Sequence, residues 1–250
     1  MISAYIGNLG KYNEGILAVE PLRFPASTEE VQAVLSKIGV DGIRYEEIFI
    51  ADFETNVAGL RNHLGEGESI DELNYLASLL DELDNGQKAK YEAALSLGEY
   101  TGSVKDLINL TQNLDCYEFY PEVQNEEELG RYLIDECGAL DVPEHIKDYF
   151  DYEAYGRDMF LNTTSDFAGG GYIENNGSPF MEHYDGKVPE EYQIFSYPDE
   201  PRRSILEALK QFREAPPRNM AKQQRPRSMR NGRPRANLTR VFLLAGRKEV

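Results

Sequence analysis

Residues 1 to 200 carry 41 acidic side chains against 12 basic ones, and the last fifty residues reverse the balance with 14 basic and three acidic. This split constrains the chain more than any motif does. A fold built from the first 200 residues must hold a net charge of −29 without the cations to pair it, and a +11 segment follows it. Like charges fixed on one body repel, so a division of this kind speaks about partners as well as packing. The acids do not gather in one run: successive blocks of fifty contain 7, 11, 12 and 11.

Several function classes fall away at this level. Two cysteines, Cys116 and Cys137, cannot staple 250 residues, and no apolar run reaches 18 residues. Neither a disulfide scaffold nor a membrane span is expected, and the first residues show no signal-peptide pattern. The reading is a cytoplasmic protein. Its three histidines, His63, His145 and His183, lie far apart without metal-ligand spacing, so no catalytic residue, metal site or cofactor is assigned. Asp81 to Glu92 matches a calcium loop at some positions, but Leu83 stands where a ligand is needed. Gly169-Gly170-Gly171 lacks the Lys-Ser/Thr of a phosphate loop and reads as a turn.

Hydrophobic periodicity divides the chain into an α+β series of three small domains. In 1–60, strands are expected at Ile2 to Ile6, Gly15 to Glu20 and Ile43 to Phe53. A helix opens on the capping box Ser27-Thr-Glu-Glu30, with Val31, Val34, Leu35 and Ile38 inward, and stops at Gly39. Residues 61–114 read as a helical module. A second capping box, Ser69 to Glu72, precedes Leu73, Leu76, Ala77 and Leu80; Asn85-Gly86 is expected to end that helix, and Lys88–Leu97 and Val104–Leu114 follow as shorter ones. In 115–177, a strand over Asp115–Tyr120 leads to a helix from Glu126 to Cys137, with Leu129, Tyr132, Leu133 and Cys137 on one side. Pro143 starts a further helix, and Gly170–Glu174 forms the last strand. Residues 178–200 read as an acidic linker and 201–250 as a disordered basic tail.

Acids sit inside the structured segments, away from their apolar stripes, so folding fixes them in space. The candidate partner-binding set is Glu46, Glu47, Asp52, Glu54, Glu66, Glu68, Asp71, Glu72, Asp81, Glu82, Asp84, Glu118, Glu126, Glu127, Glu128, Asp135, Glu136, Asp141 and Glu144. Duplex DNA carries one charge per ~1.7 Å of axis, so a body of this charge corresponds to roughly 50 Å of duplex. A cationic groove made for DNA would bind such a surface by the attraction it uses for phosphates. Solubility or salt adaptation fits the same composition. So does a DNA-binding regulator working through the Arg-rich tail, and a tethered +11 segment should also bind the acidic body at low salt.

The stretches Met1 to Gly15 (MISAYIGNLGKYNEG), Asp41 to Ile50 (DGIRYEEIFI), Ser69 to Ala77 (SIDELNYLA) and Leu129 to Gly138 (LGRYLIDECG) resemble the ArdA antirestriction family over residues 1 to about 175. The resemblance implies a homodimer of elongated three-domain subunits whose carboxylates imitate the phosphates of bent B-form DNA. It implies occupation of the DNA groove of type I restriction-modification enzymes, formed by specificity and modification subunits, with no turnover, no cofactor and no direct nucleic-acid binding by the acidic body. Leu129 to His145 corresponds to the family's antirestriction motif near the subunit interface. By that match Leu133, Leu140, Val142 and Pro143 are packing or dimer-interface positions, and Asp135, Glu136, Asp141 and Glu144 contribute charge. The basic end is not part of the resemblance.

Overall fold

Ile2, Ala4 and Ile6 alternate with Ser3 and Tyr5, and this period of two builds the central strand of the first sheet, β1 (Ile2–Asn8), with all three apolar residues buried. The computed structural model describes residues 1–198, which form one compact unit; the basic segment 201–250 lies outside the described residues. A short helix, α1 (Leu9–Asn13), capped by Asn8, turns the chain back, so β2 runs over Val19–Phe24 and not from Gly15 as expected. β3 (Ile48–Thr55) pairs on the other edge of β1, giving an antiparallel sheet of order β2-β1-β3 with a bulge beside Tyr5 and Ile6. The expected start at Ile43 is displaced because Asp41 Oδ1 accepts from the amides of Ile43, Arg44 and Tyr45 at 2.9, 2.8 and 3.1 Å, which commits them to a turn. α2 (Thr28–Ile38) follows its sequence reading closely. Both halves of the Ser27–Glu30 capping box are made, Gly39 closes the helix at φ 78°, and Val31, Val34, Leu35 and Ile38 are buried.

α3 (Ile70–Glu82) buries Leu73, Leu76, Ala77 and Leu80. Asn85-Gly86 does not end it. Asp84 caps a new helix, α4 (Asn85–Leu97): its carboxylate accepts from Gln87 N at 2.8 Å, and the Gln87 side chain accepts from Asp84 N at 3.0 Å. Asn85 and Gly86 are thus the first turn of a helix, held there by a reciprocal cap. α5 (Val104–Thr111) packs on α3, and one continuous hydrophobic core runs from Ile2 through α3, α4 and α5 to Tyr117 and Ile173.

The second sheet, order β4-β6-β5, is antiparallel and made of β4 (Tyr117–Tyr120), β5 (Ser165–Ala168) and β6 (Gly171–Asn175). Gly169 and Gly170, at φ 63° and 83°, form the two-residue turn between β5 and β6 that only residues tolerant of positive φ make well. α6 (Glu126–Arg131) does not continue regularly to Cys137. A π-turn over Tyr132–Glu136, closed by Cys137 N donating to Tyr132 O at 3.0 Å, inserts a residue into the phase. Ile134 therefore turns inward and is buried, and Cys137, expected on the apolar side, is exposed. After Pro143 come a single turn, α7 (Glu144–Lys147), and α8 (Tyr152–Asn162), which crosses α6 against a small core of Val123, Leu129 and Tyr172. Residues 178–198 then run along the helices, with one short 3-10 turn at Glu190–Tyr192.

Candidate partner-binding surface

The structure leaves none of the nineteen acids singled out from sequence fully buried. Fourteen are exposed, and Asp52, Glu68, Asp71, Glu72 and Glu126 are half-buried. In the first part of the chain Glu46 and Glu47 sit in the loop before β3. On β3 itself, Glu54 accepts the Tyr5 hydroxyl at 2.7 Å, and Asp52 is bound by Arg61 at 2.5 Å. Glu66 and Glu68 lie in the turn before α3, where the Glu68 carboxylate accepts from Gly65 N at 2.9 Å.

On the central helices Asp81 lies 3.8 Å from the Met1 amino group, Glu82 is exposed, and Asp84 is spent on the α4 cap. Asp71 and Glu72 are different. Asp71 accepts two backbone N–H groups from Ile194 and Phe195, and Glu72 accepts the Tyr184 hydroxyl at 3.0 Å. Burial, and then this hydrogen bond to Glu72, pushes the Tyr184 phenol well above its ordinary range. Both acids serve the protein's own packing.

In the third part, Glu126, Glu127 and Glu128 crowd the first turn of α6, where the helix dipole favours negative charge. Glu127 pairs with Arg131 at 2.9 Å, and Glu128 accepts from Gln124 N at 2.7 Å. Glu118 accepts from the Asn176 amide at 3.2 Å. Lys147 bridges Asp135 at 2.9 Å and Glu144 at 3.2 Å, and the hydrogen bonds to these carboxylates, Asp135 first, push its amine up to about 12. Glu136 and Asp141 are exposed.

Cationic partners are few. Eight ion pairs join the described residues, and the carboxylates of Glu46, Glu47, Glu66, Glu82, Glu126, Glu136 and Asp141 take neither an ion pair nor a hydrogen bond among them. Of these seven, Glu82, Glu126 and Glu136 sit on helical turns and Glu46, Glu47, Glu66 and Asp141 in loops, and all but Glu126 are exposed.

Of the four apolar positions picked out near Pro143, Leu133 is half-buried against the small second core and Val142 is half-buried, while Leu140 and Pro143 are exposed. Sequence reading missed Ile146 and Tyr149, which extend the exposed apolar surface of this region; Tyr149 is 86% accessible. The α7 turn is too short to show periodicity, so only the local excess of apolar residues could have flagged them.

Among the described residues no three His, Cys, Asp or Glu side chains are placed to hold a metal ion, and no helix is long and apolar enough to cross a membrane. Cys116 is buried and Cys137 exposed, both free thiols. A gap lined by Ile6, Leu22, Val31, Val34, Leu35, Ile48, Ile70 and Phe195 offers no polar side chain.

No match is found among curated proteins. The family model described as antirestriction protein (ArdA) matches residues 4–174, which takes in both sheets, every helix described above and all nineteen acids. By that match, over more than half its length, the chain belongs to the ArdA antirestriction family.

Proposed function

We propose that this chain is a homodimeric antirestriction protein that imitates B-form DNA and occupies the DNA groove of a type I restriction-modification enzyme in the cytoplasm, touching its specificity and modification subunits. The observation that carries the reading is the excess, among the described residues, of exposed carboxylates without cationic partners. Holding them costs folding free energy through mutual repulsion, so their use lies outside the fold. A groove lined by Lys and Arg relieves that repulsion on contact, as it does for a duplex, by displacing counterions from both surfaces.

Binding of this kind consumes no substrate and needs no cofactor. The enzyme is blocked because its groove holds one polyanion at a time. Dimerisation through the region of Leu133, Leu140, Val142 and Pro143 would double the charged length that one molecule presents, from roughly 50 Å of duplex equivalent to about twice that. The acidic body repels nucleic acid and does not bind it.

Capture of a purified type I methyltransferase core by the immobilised protein tests the proposal. Capture is expected at low salt, falling as salt rises and abolished by an unlabelled duplex carrying the enzyme's site. Capture that survives saturating duplex would place the contact outside the groove and overturn the reading.

A further inference from the structure

Residues 178–198 lie beyond the segment matched by the family model, yet the body receives them through a row of side chains that read only backbone. Just past the end of α5, Asn113 donates from Nδ2 to Met181 O and accepts from Met181 N on Oδ1, both at 2.8 Å. One turn earlier Asn109 repeats the arrangement with Tyr184, at 2.9 and 2.8 Å. On α3, Asn74 donates to Tyr192 O at 3.1 Å, and Asp71 Oδ1 accepts from Ile194 N and Phe195 N, both at 2.7 Å. An asparagine amide that offers its donor and acceptor to one residue stands in for a neighbouring β-strand. Asn74, Asn109 and Asn113 are 3%, 2% and 1% accessible, and buried polar groups of this kind need those partners.

Apolar contacts fill the spaces between these rungs. Tyr184 and Ile194 are buried, Tyr75 packs its ring against Tyr184 and Tyr192 at 5.5 and 4.7 Å between centroids, and Phe180 stacks on Tyr100 at 3.6 Å. The two ends of the stretch reach different parts of the body. Asn176 donates to Asp115 O beside β4 at 2.8 Å, while at the other end the Tyr197 hydroxyl donates to Glu46 O at 3.0 Å and the Tyr197 carbonyl accepts from the Gln32 side chain at 3.1 Å. Phe195 lines the apolar gap between the first sheet, α2 and the start of α3.

We propose that Asn113, Asn109, Asn74 and Asp71 form a backbone-reading groove for an extended peptide, that residues 178–198 are its resident occupant, and that this clasp makes the first sheet, the α3–α5 helices and the β4 region one rigid carrier. The last step rests on the anionic-inhibitor reading, since a surface that imitates a stiff duplex gains from having its charges spaced in advance. It also reassigns two acids: Asp71 and Glu72 anchor the clasp and do not face the partner. Glu182, Asp185, Glu190 and Glu191, carried on the clasp and exposed, add to the anionic surface in their place.

Hydrogen exchange on the full chain, with enzyme capture measured in parallel, tests this. Asp71→Ala removes the acceptor; Asp71→Asn removes the charge but keeps an oxygen for the same two amides. The clasp requires exchange at Ile194 and Phe195 to rise at least tenfold in Asp71→Ala and to stay near the parent in Asp71→Asn, with capture weakened only by alanine. Asn109→Ala should do the same at Tyr184. It also removes a bond within α5, so Asp71, on the half-buried first turn of α3, is the deciding position. Unchanged exchange in Asp71→Ala would overturn the clasp, as would equal loss of capture in the alanine and asparagine variants. Should the parent itself fail to capture the enzyme, the inhibitor reading falls while the exchange pattern still decides the clasp.

Discussion

Gly130 of α6 and Gly156 of α8 meet backbone to backbone. A Cβ added at Gly130 would lie 2.0 Å from Tyr152 O, and one added at Gly156 would lie 1.8 Å from Glu126 O and 2.8 Å from Gly130 N. No side chain can yield at such a contact, because the opposing atoms belong to main chain. Gly130→Ala or Gly156→Ala must therefore push the helices apart, at a cost of about 2–3 kcal/mol in a urea titration, in the range of an overpacked core. Gly67→Ala, which meets nothing within 4 Å, is the control and should stay within roughly 0.5 kcal/mol of the parent. If Gly156→Ala is equally harmless, α6 and α8 do not cross where described.

The α4 cap gives a second stability test. Asp84→Ala removes the acceptor for Gln87 N and frees the Gln87 side chain, so a loss of about 1 kcal/mol is expected. Asp84→Asn, which keeps an oxygen at the same place, should recover most of it. Equal losses in the alanine and asparagine variants would mean that the carboxylate acts at this helix start only through its charge.

What was readable in the sequence is what local spacing determines. Ser27 and Glu30 announced α2, and Val31, Val34, Leu35 and Ile38 announced its buried side. The Ser69 box shows where this stops: Ser69 accepts from Glu72 N at 3.4 Å as predicted, but the Glu72 carboxylate is drawn to Tyr184, more than a hundred residues away. Asn85-Gly86 misled because the same dipeptide serves a helix stop or a first turn, and the neighbouring Asp84 and Gln87 decide which. The π-turn at Tyr132–Glu136 adds a residue that no 3.6-residue period anticipates, which hid Ile134. Residues 178–198 carry no period at all, since they are held through their amides by asparagines far away in sequence.

Among the acids, stability and binding should move in opposite directions. Glu46, Glu47 and Glu66 have no cationic partner among the described residues, so replacing all three by glutamine removes repulsion and should leave the melting temperature unchanged or slightly higher. Capture of the enzyme should weaken several-fold at low salt, and the three single variants should each account for part of the loss. A single substitution that abolished capture in a folded protein would replace the distributed surface with one focal contact.

The exposed apolar residues around α7 bear on assembly. Leu140 and Ile146 are each 43% accessible and Tyr149 is 86%, an arrangement that leaves large side chains in water beside the Lys147–Asp135–Glu144 cluster. Burial against a second copy would recover apolar area at about 25 cal/mol per Å² without disturbing the core, because none of the three belongs to either hydrophobic core. Tyr149→Glu is therefore expected to halve the mass measured by analytical ultracentrifugation while leaving the melting temperature of the subunit nearly unchanged. Capture of the enzyme should also weaken, since a monomer presents half the charged length. A Tyr149→Glu protein that still sediments as a dimer would put the interface on another face, and a parent that is monomeric at tens of micromolar would remove the dimer from the proposal while leaving the single-subunit surface to be judged by capture alone.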